Sequence, residues 1–133
     1  MGAAVSLTGI NLISLQDAFS GSEDILAQML GLFEAQARER MAQLKVALAT
    51  GDEQAARQYI HSLVNISGAV HAYVMSEQAK ALGDAVKNDD RVMADQLLQA
   101  LSREADLVLR QTAVLIAALA RDLASVWESV LPG

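Results

Sequence analysis

The sequence predicts an all-α fold, an antiparallel up-and-down four-helix bundle with a short extra N-terminal helix and an extended C-terminal helix. Three observations lead there. The single proline is Pro132, and the rest of the chain is rich in the helix formers Ala, Leu, Gln, Glu and Arg. Apolar residues recur at three- and four-residue intervals, the period of a helix with one buried face. Every break between such stretches is short, as neighbouring antiparallel helices require.

The elements follow in order. A short helix around Leu15 to Phe19 runs into Ser20-Gly21-Ser22-Glu23, where Ser20 and Glu23 have capping-box spacing and Ser22 is an alternative cap. In the second helix Ile25, Leu26, Met29, Leu30, Phe33, Met41, Leu44 and Leu48 form the apolar stripe, which should end near Thr50-Gly51. Asp52 is a fitting N-cap for a third helix with the stripe Ala56, Tyr59, Ile60, Leu63, Ile66 and Val70, ending between Gly68 and His71. A fourth, roughly Ala72 to Val86, closes at Lys87-Asn88-Asp89-Asp90, whose acidic residues suit the start of the next helix. From Arg91 to about Val130 no breaker occurs. The stripe Leu97, Leu101, Val108, Leu115, Leu119, Leu123, Val126 and Val130 therefore predicts a helix longer than its neighbours, with an end that projects or packs elsewhere.

At 133 residues the chain is expected to be one helical domain, with an N-terminal segment over 1–20, the bundle over 21–118 and a C-terminal helical extension over 119–131. Composition excludes several function classes. There is no cysteine, hence no disulfide framework and no thiolate chemistry. A formal charge of -6, with ten basic residues spread along the chain, argues against nucleic acid as a partner. The longest all-apolar stretch, Ala113 to Ala120, has eight residues where a membrane span needs about twenty, so no membrane partner is expected. The apolar N-terminus lacks the basic region of an export signal, which points to a cytoplasmic protein. Met1-Gly2 with Ser6 meets a loose myristoylation pattern that chance readily produces.

Chemistry must then come from few residues. On a wheel at about 100° per residue, Ile60, Leu63, Ser67 and Val70 of the third helix fall together, and Gln54, Arg57, His61, Asn65 and Gly68 fall opposite. His61 is thus expected to face water and not to be a core histidine; an exposed histidine often has no role at all. The other histidine, His71, is ten residues on, which is not the i,i+4 alignment of a helical metal pair. A helix junction suits it, because histidine tolerates left-handed backbone better than most residues; alternatively the helix continues through it and breaks at Gly68. Met29, Met41, Met75 and Met93 read as core packing. Trp127 shares the end of the last helix with Leu123, Val126 and Val130, a face to be covered by the N-terminal apolar segment, a homodimer partner or a partner helix.

From Phe19 to Leu119 the chain resembles the histidine-containing phosphotransfer (HPt) domain family. The run Ala47-Leu48-Ala49-Thr50-Gly51-Asp52 is similar to the family's Ala-Leu-x-x-Gly-Asp turn. Nine residues after Asp52 comes His61-Ser62-Leu63, like the family's His-x-Leu, and Ala72, Met75, Ala79 and Leu82 match the small and apolar positions of its next helix. The sequence departs from the family at Val64 and Asn65, where lysine and glycine are usual, and at His71, where glycine is usual. Gly68 can restore some clearance and Arg57 can supply a cation.

What the resemblance implies is a phosphocarrier, not an enzyme in the strict sense. His61 would accept a phosphoryl group from a receiver-domain aspartate and pass it on. The face of Gln54, Arg57, Gln58, Val64, Asn65 and Gly68 would dock a response-regulator receiver domain or a hybrid sensor kinase. No cofactor and no metal site are expected in this chain, because the receiver brings the Mg2+. Two alternatives stay open: an adaptor of the same ancestry that binds a receiver or other signalling protein without accepting phosphate, and a helical oligomerisation scaffold built on the C-terminal segment.

Overall fold

The computed structural model describes residues 5–132. The Met1-Gly2 pattern lies outside the described residues. A short strand β1 (Val5–Leu7) leads into α1 (Leu12–Phe19), α2 (Glu23–Ala49), α3 (Glu53–Ala69), α4 (Tyr73–Lys87) and α5 (Arg91–Arg121), followed by a 3-10 helix (Leu123–Glu128) and strand β2 (Val130–Pro132). Helices α2 to α5 close a ring in which α2 touches α3 and α5, and α4 touches α3 and α5. Among the described residues no helix is long and apolar enough to cross a membrane.

Side chains spaced along each helix meet in one core. Leu26, Leu30, Phe33 and Leu44 of α2, Ile60 and Leu63 of α3, Met75 and Leu82 of α4, and Leu101, Val108 and Leu115 of α5 are buried together. Ile25 turns outward with Leu32 and Val46, so the stripe read for this helix was one residue too wide.

The junctions are built from local chemistry. Asp52 and Asp90 each cap a helix, accepting from Ala55 N–H at 3.1 Å and Met93 N–H at 3.1 Å. Helices α2, α3 and α4 end alike: Gly51, His71 and Asp89 adopt positive φ (74°, 62° and 54°). In each case the next N–H returns to a carbonyl five residues back, as in Asp52 to Ala47 at 2.9 Å and Ala72 to Ser67 at 2.9 Å. This is the Schellman closure, which satisfies carbonyls left free at a helix end. His71 therefore sits at the helix junction, and Gly68 lies inside α3.

Besides Ile25, and Met93, which is 44% exposed and not core packing, two further sequence expectations are corrected. Ser20 and Glu23 form no capping box. Ser20 ends α1, while Ser22 occupies the N-cap of α2 without a side-chain bond. The Glu23 carboxylate instead accepts from Gly21 N–H at 2.8 Å and from Trp127 Nε1–H at 3.2 Å. Those two donors, Gly21 first, hold its pKa below the ordinary value.

The helical extension over 119–131 is the second correction. The α-helix stops at Arg121, Asp122 is extended, and the chain returns through the 3-10 turn to β2. Strand β2 pairs in parallel with β1, Val5 opposite Val130 and Leu7 opposite Pro132. A continued helix would have left its stripe in water. Folding back buries Val126, Val130 and Leu7 to 0–2% exposure, and such burial outweighs the preference of a few residues for helix. The chain's own N-terminal strand thus pairs along the Val130 end of the face for which a second copy was one alternative, Trp127 bonds to Glu23 of α2, and Leu123 stays 41% exposed.

Candidate functional site

Helix α3 presents the residues on which the sequence argument rests. Its inner edge is locked: Ala56, Ile60, Leu63 and Ser67 are buried, and the Ser67 hydroxyl donates back to the Leu63 carbonyl. With that phase set, Gln54, Arg57, Gln58, His61 and Asn65 are all exposed, while Val64 and Gly68 are half-buried at the edge that meets α4. A shallow surface depression is lined by Glu53, Gln54, Arg57, Gln58 and His61. All seven candidate residues therefore share one face of one helix, with Val64 and Gly68 at its margin.

The imidazole of His61 stands on this face with its Nε2 3.3 Å from Asn65 Nδ2, one turn on. An amide nitrogen only donates, so this contact favours the tautomer in which Nε2 accepts and Nδ1 carries the proton. Arg57, one turn before, lies 3.9 Å from the Glu53 carboxylate; both side chains are 55% exposed, and such a pair holds its partners weakly.

The edge of α3 facing α4 is tight. Ser76 Oγ donates to the Val64 carbonyl at 3.1 Å, and a Cβ on Gly83 would come within 3.3 Å of Ile60 Cγ2. Pairing 64 with 76 and 60 with 83 fixes α3 and α4 as antiparallel. On the other flank Arg40 of α2 donates through Nε to Ser62 Oγ at 3.2 Å, and through Nη1 to Gln43 at 2.9 Å and Glu39 at 3.2 Å. Sequence reading missed Arg40, Ser62 and Ser76. The register between helices decides those contacts, and no local signal carries it.

His71 is separate from this face. Its Nδ1 lies 2.7 Å from Ser14 Oγ and 2.9 Å from the Tyr73 hydroxyl, and its ring meets Phe19 edge-on with centroids 6.2 Å apart. Burial pushes its pKa down, favouring the neutral ring. Its carbonyl accepts from Asn11 N–H at 2.9 Å, so the residue ties α1 to the α3–α4 junction.

No curated protein and no solved structure matches the chain. The Hpt domain profile does match, over residues 28–126, a span that takes in α3, α4, most of α2 and all of α5. Since that match covers more than half of a chain whose four long helices form the expected bundle, the protein belongs to the Hpt domain family.

Proposed function

We propose that the protein is a phosphorelay carrier in which His61 takes a phosphoryl group from the phosphoaspartate of a receiver domain and delivers it to another. The observation that carries this reading is an exposed imidazole on a helix locked by its buried edge, with its Nε2 engaged only by the side-chain amide of Asn65 at 3.3 Å. The transfer balances without a base. Nε2 forms the bond to phosphorus, the bond from phosphorus to the aspartyl oxygen breaks, and the carboxylate leaves with the electron pair. Nδ1 keeps its proton, so the phosphorylated ring is cationic beside its anionic phosphoryl group.

Positioning and electrostatics dominate such a reaction. The surface from Gln54 to Gly68 is the docking face for a receiver domain or a hybrid sensor kinase, and the Mg2+ belongs to the receiver. The carrier works in the cytoplasm, where such partners present their aspartates.

A second reading is favoured by one observation. Val64 is apolar, and Asn65 already occupies the nucleophilic nitrogen, which suits an adaptor that binds a receiver without accepting phosphate. Incubation with a receiver domain charged by acetyl phosphate and Mg2+ separates the two. Acid-labile phosphate on wild type and none on His61→Gln supports the carrier. Receiver binding with no label on wild type supports the adaptor.

A further inference from the structure

We infer that Lys80 of α4 is the cation that meets the phosphoryl group on His61, reaching it across the seam between α3 and α4; this rests on His61 being the phosphoacceptor. A phosphoryl group on an exposed imidazole places up to two negative charges beside α3. Of the nearby arginines, Arg40 is tied to Ser62, Gln43 and Glu39 on the opposite flank, and Arg57, held only weakly by Glu53, rises from α3 itself one turn before His61.

The seam supplies an alternative. Val64 and Ile60 are the residues of α3 that meet Ser76 and Gly83 of α4. His61 is next to Ile60 on the solvent side of that edge, about 60° round the helix from Val64. Lys80 lies four residues after Ser76 and three before Gly83, on the same edge of α4. Antiparallel register therefore sets it level with residues 61 and 62. Helix axes in such a bundle are about 8–10 Å apart, a gap that a lysine stem from one rim and an imidazole from the other close together. Val64 and Gly83 leave the floor between them low.

Lys80 is also available. Its side chain is 54% exposed, and its partner is Glu77, 3.0 Å away and 71% exposed. A dianionic phosphoryl group competes readily for an ammonium held by one solvated carboxylate.

The test uses the full chain and phosphoramidate, a donor that needs no docking surface. Nε2 of His61 bonds to phosphorus, the donor P–N bond breaks, and ammonia leaves with the electron pair. Initial labelling rates are read by phosphorus NMR. Lys80→Ala is expected to slow labelling by about tenfold, as loss of one charge-assisted contact would. Lys80→Arg should keep most of the rate, Lys87→Ala at the far end of α4 should stay within about twofold of wild type, and adding Val64→Lys to Lys80→Ala should restore it. Restoration from the opposite rim is a result that a structural role for Lys80 would not produce. Equal rates for wild type and Lys80→Ala, a tenfold loss in Lys87→Ala, or no restoration by Val64→Lys overturns the assignment to Lys80. A wild type that takes no label overturns the His61 reading as well, so the two failures are distinct.

Discussion

At the scale of single residues, Asn65 biases which nitrogen of His61 carries the proton. Its amide donates to Nε2 over 3.3 Å, so the tautomer protonated at Nδ1 is favoured. In Asn65→Ala the population protonated at Nε2 should rise, a shift read in long-range nitrogen–proton NMR spectra at neutral pH. An unchanged tautomer ratio would show that the amide does not hold the ring. His71 makes a different prediction, because burial lowers its pKa from the ordinary 6.5. A folded-state pKa below the unfolded one means that the unfolded chain takes up the proton first. The stability from the neutral ring is present above about pH 6.5 and is lost as pH falls through that value towards the folded one. Asparagine tolerates the same left-handed backbone, so His71→Asn should lose less stability than wild type between pH 7.5 and 5.5 in chemical denaturation. A steeper loss in the variant would contradict it. That His61 faces water and His71 sits at a junction was legible in the sequence, since helical phase and backbone preference are local. The partners of each ring, Ser14 and Tyr73 for His71, were not.

At the scale of elements, α3 depends on what begins it and what it packs against. The Asp52 carboxylate accepts the Ala55 N–H, one of the donors a helix start leaves unpaired. Asp52→Ala should cost about 1 kcal/mol in urea denaturation and speed hydrogen exchange in the first turn of α3, the turn that leads into Arg57. Unchanged stability would mean that water replaces the cap without loss. Such caps are readable from sequence because cap and helix are neighbours in the chain. The box expected from Ser20 and Glu23 failed for the complementary reason: Glu23 is engaged by Trp127, 104 residues away.

At the scale of the molecule, the two chain ends are fastened to each other and to α5. Gln111, buried in α5, accepts from Gly9 N–H at 2.8 Å through Oε1 and donates to Thr8 Oγ1 at 3.0 Å through Nε2. Gly9 comes so close that an added Cβ would lie 3.0 Å from Val108 Cγ2 and 3.2 Å from Gln111 Oε1. Gly9→Ala should therefore destabilise by about 1–3 kcal/mol through overpacking. Gln111→Leu should cost about 1–3 kcal/mol by stranding a buried N–H. Both should lower the thermal midpoint while leaving the α3 face intact, and a midpoint equal to wild type in both would show that the end-to-end clasp contributes nothing. The same burial raises the pKa of Glu104, whose carboxylate lies 3.3 Å from that Cβ position.

The amino-acid order alone determined the helical class, four of the turns, the caps at Asp52 and Asp90, and the phase that turns His61 outward, because each depends on residues a few positions apart. Tertiary structure decided where α5 stops, since no breaker stands between Arg91 and Val130. Burying Val126 and Val130 beneath the N-terminal strand wins over continuing the helix, and it depends on residues more than a hundred positions away. It also decided the company His61 keeps, because the register that sets Ser76, Lys80 and Gly83 beside α3 comes from how two helices pack and is not written in either one.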